Sequence, residues 1–436
     1  LIAAPSGLVQ IMSDTIFALS SGAPPAAIGV IRVSGPDAGT ALEQLTGSTL
    51  EPRRPSLKVL RNTLGEELDQ ALAIWFPGPN TATGEDLLEL HCHGGRAVIT
   101  AVEQALGAMD RLRKAEPGEF TRRAFANGRI DLSEADGLAD LLAADTELQR
   151  AAAMQMAGGV FSRETEQWRE RLLRLSAQVE AALDFSDEDD VEALPQSFAV
   201  DLDNLAGELE QWLTRPRAEK LGEGVRVVLA GPPNTGKSTL FNALTDSEAA
   251  ITSPIAGTTR DVIERAVGLD GVPFVFVDTA GLRDESGDAI EVIGIERAER
   301  ELAKADLVLW LGAEGEGPAG SLEVAARADA ADFTAKSGEF FAVSAVSGEG
   351  IAALRAEVIA RARAILPKPG EAALNQRQHG LISEAHEALV GAGAHADPLI
   401  VGEELRRARL AFDRLIGRAT TEDMLDALFG RFCIGK

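Results

Sequence analysis

The run GPPNTGKST, Gly231–Thr239, carries glycine, lysine and hydroxyl residues at the spacing of a phosphate-binding loop. The apolar run VRVVLA precedes it and TLFNAL follows, so the loop joins a strand to a helix. Backbone N–H groups turn inward on a β-phosphate in such a loop, and the helix N-terminus adds positive dipole. Lys237 suits the β- and γ-phosphates, and the Ser238 hydroxyl suits Mg2+. The Asn234 side-chain oxygen suits a monovalent cation beside the phosphates, where a cation does the electrostatic work of an arginine. DTAG, Asp278–Gly281, closes a second apolar run, PFVFV. There Asp278 suits an outer position on Mg2+, and the Gly281 N–H suits a γ-phosphate. GTTRD lies between the two, with Thr259 a second candidate Mg2+ ligand, and VSA, Val343–Ala345, suits a loop at the edge of a base.

Those residues need a sheet to hold them. From about Glu223 to Leu366 the buried-strand candidates VRVVLAG, PFVFVDTAG, DLVLWLG and EFFAVSA alternate with helical runs, which predicts a parallel sheet. Before it, from about Asp131 to Leu221, the pattern is helical. DLSEADGLADLLAAD sets Leu132, Ala135, Leu138, Leu141 and Leu142 on one face, and Asp131 with Glu134 forms a candidate capping box. After the linker LPKPG the helical pattern returns, with a stripe at Leu405, Ala408, Phe412, Leu415 and Ile416 and a helix expected to run almost to Phe429. A helical block on each side of an α/β block predicts a helical domain with another domain inserted in it. Residues 12–127 read as an α+β domain of short strands, such as IGVIRVSG and ALAIWFPG, with the helix AVITAVEQALGAM. The expected partition is 12–127, 128–221, 222–367 and 368–436. Residues 1–11, which precede Met12, are read as an expression scar or upstream leader.

The bulk composition excludes several classes. The 436 residues are 45% hydrophobic, enough for several cores, and no apolar run is long enough for a membrane helix. A net charge of −26 argues against non-specific coating of nucleic acid but leaves a local basic patch open. Tyrosine is absent, which removes one aromatic platform for stacking RNA bases. Two cysteines, Cys92 and Cys433, lie far apart and fit a reducing, cytoplasmic setting. The acidic run DFSDEDD reads as a solvated loop. In HCHGG, strand alternation puts His91 and His93 on one face and Cys92 on the other, which favours structure or pocket lining over a metal site.

The phosphate loop, GTTRD, DTAG and VSA together resemble the translation-factor-like GTPases. That family reads guanine with Asn-Lys-x-Asp; here the corresponding run is ARAD, Ala326–Asp329. Asp329 can accept from the guanine N1 and N2 hydrogens and Arg327 can lie on the base, while Ala326 loses the asparagine contact. Leu282 follows DTAG where Ras-like enzymes carry the glutamine that orients water. A carboxylate from the following acidic segment, RDESGDAIEVIGIER, is the candidate substitute.

The segments IGVIRVSGP, FPGPNTATGEDLLELHCHGG, PGEFTRRAFANGRIDLSEADGLADL, GPPNTGKSTLFNAL, IAGTTRD, DTAGLR, IGIERA and the terminal FCIGK are together similar to the MnmE (TrmE) family of tRNA-modifying GTPases, from Met12 to Lys436. The resemblance implies a folate-binding, aminomethyltransferase-like N-terminal domain and a Ras-like P-loop G domain inserted in a helical domain. It implies a homodimer through the N-terminal domains and a heterotetramer with a flavin-dependent, MnmG-type partner. Together they would modify carbon five of the wobble uridine of certain tRNAs, with hydrolysis driven by K+-promoted G-domain dimerisation. It implies GTP, Mg2+, K+ and a folate, 5-formyltetrahydrofolate or 5,10-methylenetetrahydrofolate, as cofactors.

Residues carry over one by one. Nucleotide contacts fall on Asn234, Thr235, Gly236, Lys237, Ser238 and Thr239, on Ser253, Ile255, Gly257, Thr258 and Thr259, on Asp278, Thr279, Ala280 and Gly281, and on Asp329, Ser344 and Ala345. Of these, Ser238 and Thr259 match Mg2+ ligands, and Asn234, Ser253, Ile255 and Thr258 match K+ positions. Glu291 matches the water-orienting carboxylate, placed by its distance to Gly294, with Glu285 as the fallback; with Lys237 it makes the catalytic pair. Arg32, Glu89, Arg129 and Lys436 match folate contacts, with Arg129 where lysine is usual. The resemblance brings the tail back toward that pocket and makes Cys433 a candidate nucleophile. As a lipid-attachment box CIGK is poor, because Gly435 is not aliphatic and Lys436 is not a typical last residue. Two other readings stay open: a nucleotide-gated, non-catalytic scaffold of the ribosome-assembly type, and a folate-dependent aminomethyltransferase that carries a G domain.

Overall fold

Two-residue alternation along Ile28–Ser34 and Leu87–His93 buries one side of each strand and leaves the other to carry polar groups. The computed structural model describes residues 14–184, 194–246, 263–279, 298–331 and 333–436. It contains two units, residues 1–139 with 413–436 and residues 140–412.

The first unit holds a six-stranded sheet of β1 (Thr15–Leu19), β2 (Ile28–Ser34), β3 (Ser56–Arg61), β4 (Glu67–Phe76), β5 (Leu87–His93) and β6 (Leu112–Lys114), in the order β3-β4-β5-β2-β1-β6. Only β1 and β6 pair in parallel. One face packs Phe17, Ile31, Val33, Leu88, Leu90 and Cys92 against the helices Ala38–Thr46 and Arg96–Gly107. On the other face Ile16 and Ala18 are covered by Ala115 and by Phe120 of the helix Glu119–Ala126. Farther along that face Arg32, Glu89 and His91 remain partly exposed.

The helix Leu132–Leu142 begins as the sequence predicts: Glu134 N–H donates to Asp131 Oδ1 and Asp131 N–H to Glu134 Oε2, both at 2.8 Å. Leu142, expected in its apolar stripe, is 49% exposed. The C-terminal helix is not continuous. It stops at Leu415, the N–H groups of Arg418 and Ala419 turn back to the Asp413 carbonyl, and a new helix runs Glu422–Phe429. Leu425, Leu428 and Phe429 of that helix pack on Leu132 and Ala135.

The second unit holds β7 (Val225–Ala230), β8 (Ile263–Leu269), β9 (Val272–Asp278), β10 (Leu307–Trp310), β11 (Leu322–Ala326) and β12 (Phe341–Val343), in the order β12-β11-β10-β7-β9-β8. The four expected strands are β7, β9, β10 and β12. Two more appear: β8, an antiparallel edge strand, and β11, parallel between β10 and β12. Parallel neighbours usually need a crossover helix. Among the described residues, 311–321 and 327–340 cross from β10 to β11 and from β11 to β12 without one. Helices Lys237–Thr245 and Ile351–Ile365 cover one side of the sheet through Leu240, Phe241, Leu244, Leu354 and Val358. Leu148 and Ala152 of the helix Glu147–Ala157 enter the same core, and Leu148 N–H donates to the Gly271 carbonyl at 3.0 Å.

Three further helices of this unit meet at an aromatic cluster. Phe161 and Trp168 of Val160–Asp184, Trp212 of Gln196–Leu213 and Phe412 of Pro398–Leu415 have ring centroids 5.1–6.1 Å apart in successive pairs. No helix of the described residues is long and apolar enough to cross a membrane.

Candidate functional site

The phosphate loop sits where β7 ends. All but Arg226 of that strand is buried, which fixes the point at which the chain turns outward. Gly236, at φ +92°, caps the helix Lys237–Thr245, a backbone conformation that glycine adopts without strain. Asn234 also has positive φ, +61°, and is exposed. Lys237 is 5% exposed and its Nζ donates to the carbonyls of Gly231 at 3.0 Å and Pro232 at 2.6 Å. Ser238 and Thr239 are exposed in the first helical turn, and Thr235 Oγ1 donates to the Pro232 carbonyl. On the neighbouring strand Asp278 is 1% exposed and in register with Leu229, while Thr279 Oγ1 donates to the Leu229 carbonyl at 2.8 Å. Parallel pairing thus brings Lys237, Ser238, Asp278 and Thr279 to the C-terminal edge of one sheet, where open α/β sheets bind ligands.

The ARAD turn closes beside this loop. Arg327 has φ +63°, and Ala328 N–H donates to the Val343 carbonyl at 3.0 Å. The Asp329 carboxyl is held below the usual carboxylate range, first by a hydrogen bond from the Ser344 side chain, then by its own backbone N–H and by Arg327. Ser344 is fully buried, and its Oγ also accepts from Ser347 N–H at 3.0 Å. Ala326 and Arg327 reach the phosphate loop: a Cβ built on Gly236 would stand 3.5 Å from Ala326 Cβ and 3.6 Å from Arg327 Cγ. A cavity of about 460 Å3 opens here, with Asn234, Thr235, Ala326, Arg327 and Lys336 in its wall. Ser253, Ile255, Gly257, Thr258 and Thr259, and Ala280, Gly281, Leu282, Glu285 and Glu291, lie outside the described residues, as do most of DFSDEDD and residues 1–11.

In the first unit the strands bring Arg32 and Glu89 into direct contact, Nε to Oε1 at 2.8 Å. His91 Nε2 lies 3.4 Å from the other oxygen, Glu89 Oε2. His93 is taken up by Asp69, through Nδ1 at 2.7 Å and its backbone N–H at 2.8 Å. Cys92 faces the core, where burial, and secondarily Asp69, pushes its thiol up to about 12. Arg129 follows the helix Glu119–Ala126 and borders Gly84, while Asn127 Nδ2 donates to the Thr83 carbonyl at 2.7 Å. The tail returns to this unit: Ile434 bridges Pro117, Gly435 packs on the Leu19 carbonyl, and Lys436 N–H donates to the Cys433 carbonyl at 3.2 Å. Cys433 is exposed.

One cluster had no counterpart in the sequence reading. Arg123, 1% exposed, donates to Asp14 Oδ1 at 2.7 Å, to Glu119 Oε1 at 3.0 Å and to both Glu85 oxygens at 3.2 Å. Glu85 in turn accepts from Ser34 Oγ at 2.7 Å, and Ser34 Oγ lies 2.7 Å from Thr83 Oγ1. Arg113 adds Asp14 at 2.6 Å and both oxygens of Glu119 at 2.8 and 2.5 Å. The network fixes the loop 81–86 and the start of the helix that leads to Arg129. Its only sequence signal was the density of charge in GED and FTRRAF, which also describes a solvated surface.

Residues 15–129 match the family described as the GTP-binding protein TrmE N-terminus, and residues 132–433 match the MnmE helical domain. The tRNA modification GTPase MnmE of Erythrobacter litoralis is 62% identical over 423 residues, 97% of this chain and all of that one. That of Novosphingobium aromaticivorans is 62% identical over 437 residues, 98% of this chain and all of the relative. Among solved structures, the G domain of the Thermotoga maritima FeoB iron transporter aligns with 32% of this chain and 98% of its own at 24% identity, with a TM-score of 0.24, too low to carry weight. With two domain matches and near-identical length to relatives at this identity, the chain belongs to the MnmE family of tRNA modification GTPases.

Proposed function

We propose that this chain hydrolyses GTP and, with a flavin-dependent partner, adds an aminomethyl or carboxymethylaminomethyl group to carbon five of the wobble uridine of certain tRNAs, using a folate one-carbon unit. The observation that carries this reading is the full-length likeness to relatives named tRNA modification GTPases. The strand–loop–helix setting of Gly231–Thr239 supports it. In this reading residues 12–127 bind folate and dimerise. Residues 128–221 and 368–436 form the helical domain, and residues 222–367 form the inserted G domain.

The residues present suit the ions. Ser238 offers an exposed hydroxyl and Asp278 a buried carboxylate at the same sheet edge, the hard oxygen donors that Mg2+ prefers. Thr259 is the second proposed Mg2+ ligand, and Asn234, Ser253, Ile255 and Thr258 hold K+. Bound there, the two ions would supply positive charge beside the transferring phosphoryl group. Lys237 neutralises the β- and γ-phosphates, and Asp329 accepts the guanine N–H edge. Glu291 orients the attacking water. Arg32, Glu89, Arg129 and Lys436 hold the folate, and Cys433 is the candidate nucleophile at its one-carbon unit.

Mass spectrometry of wobble nucleosides from cells lacking this protein is the primary test. Loss of the carbon-five modification is expected, and an unchanged profile would overturn the reading. GTP turnover by the purified chain should be faster in K+ than in Na+, and Glu291→Ala should lower turnover while leaving nucleotide binding nearly intact. Equal rates in the two salts would remove the cation step. Binding without multiple turnover would leave the scaffold reading in its place.

A further inference from the structure

The Glu89 carboxylate lies on the half-open face of β5. The register sets Arg32 and Ile74 on either side of it, and sets Val30 and Leu72 on either side of His91. Ala18 stands opposite Arg32 on the far side. A small polar island of Arg32, Glu89 and His91 is therefore bordered by aliphatic side chains. The Arg32, Glu89 and His91 side chains are 33%, 16% and 29% exposed, so the island is half-buried yet reachable.

Arg32 alone does not orient the carboxylate. Its Nε holds one oxygen, Oε1, at 2.8 Å, and the last torsion of a glutamate is broad. Rotation about that bond would swing Oε2 through a wide arc. His91 removes this freedom. It is two residues along the same strand, on the same face, with Nε2 3.4 Å from Oε2. A carboxylate only accepts, so Nε2 carries the proton in this pair. With one oxygen anchored on each side, the plane of the carboxylate is set. Each oxygen keeps a further lone-pair direction for a ligand.

We infer that His91 is a positioning residue: it fixes the plane of the Glu89 carboxylate so that the two oxygens together receive paired N–H donors from a flat heterocycle. The amidine edge of a pterin, with its ring N–H and amino group, is that chemistry. The inference rests on the folate reading of this face. It assigns His91 a role through Glu89, not a contact with the reacting atoms.

The test is calorimetric titration of the full chain with 5-formyltetrahydrofolate, comparing the parent with His91→Leu and His91→Gln. Glutamine carries an N–H2 at nearly the reach of Nε2, and leucine fills space without a donor. His91→Leu should bind about tenfold more weakly, and His91→Gln should stay within about threefold of the parent. Nucleotide turnover and thermal midpoint should be unchanged in both. Equal binding by the parent and His91→Leu would overturn the role of His91 while leaving the folate reading intact. A glutamine variant as weak as the leucine variant would overturn it too, since the donor would then not matter. No binding by the parent itself would overturn the folate reading.

Discussion

The α-carbon of Gly435 lies so close to the Leu19 carbonyl that a Cβ there would fall 2.1 Å from that oxygen. Its φ of +92° adds a second reason for glycine. Gly435→Ala must therefore lift the tail from the end of β1, and with it Lys436. Binding of 5-formyltetrahydrofolate by calorimetry should weaken by at least about tenfold, while GTP turnover, housed in the other unit, stays at the parent rate. Undiminished folate binding would show that the tail is not part of that pocket.

Arg123 makes the second prediction. It is a fully buried guanidinium held by Asp14, Glu85 and Glu119. Removing it leaves Glu85 without its cation and leaves Asp14 and Glu119 with Arg113 alone; breaking a buried pair typically costs about 3–5 kcal/mol, and the remaining Arg113 contacts place the loss at the lower end. Arg123→Met should lower the stability of the first unit by that order in urea unfolding followed by circular dichroism. Arg123→Lys should recover only part of it, because a single ammonium cannot span three partners in the fixed fork of a guanidinium.

The same cluster sets a pH dependence. Burial by itself would raise the carboxyls of Asp14 and Glu119; hydrogen bonds from Arg113 and Arg123, with the Glu116 N–H for Glu119, outweigh it and hold both below their ordinary values of 3.8 and 4.5. As pH falls the unfolded chain binds protons first, so the folded state loses ground. The contribution is complete above about pH 4.5 and disappears as the pH drops through the depressed folded values. The urea midpoint should fall over that acid range and stay level above it, and Arg123→Met should flatten the fall.

Local chemistry explains which elements the sequence revealed. The Asp131–Glu134 capping box is a contact three residues apart, and the stripe Leu405, Ala408, Phe412, Leu415 is a period within one helix; both are present, with all four stripe residues buried. His91 and Cys92 part to opposite faces because a strand must alternate. What stayed hidden depends on distant partners. LEVAA, Leu322–Ala326, is a short, alanine-rich run that becomes β11 because it pairs on both sides. Leu148 and Ala152 belong to a helix that reads as part of the helical region, yet they pack among the strands of the sheet. The break after Leu415 comes from the backbone turning onto Asp413, which no periodicity encodes. The strand–loop–helix setting of Gly231–Thr239 was legible because its signal is contiguous. The Arg123 network was not, since its members come from residue 14, the loop 81–86, β6 and the helix Glu119–Ala126.

Asp329 and Ser344 carry the last prediction. In the proposed reading Ala326 stands where translation-factor-like GTPases carry asparagine, so discrimination between bases would fall on the Asp329 carboxylate. That carboxylate is oriented by the buried Ser344 hydroxyl, which is itself held by Ser347 N–H. Guanine presents two N–H donors on the edge that meets it; xanthine presents one donor and one acceptor. Asp329→Asn should weaken GTP by roughly 10–100-fold and favour xanthosine triphosphate, because the amide offers both an acceptor and a donor. Ser344→Ala leaves the carboxylate chemistry intact but unanchored, so it should weaken GTP by several-fold without changing the order of preference. Competition titrations with fluorescent nucleotides measure both. An Asp329→Asn variant that keeps the parent's affinity and preference would show that the base is read by other groups.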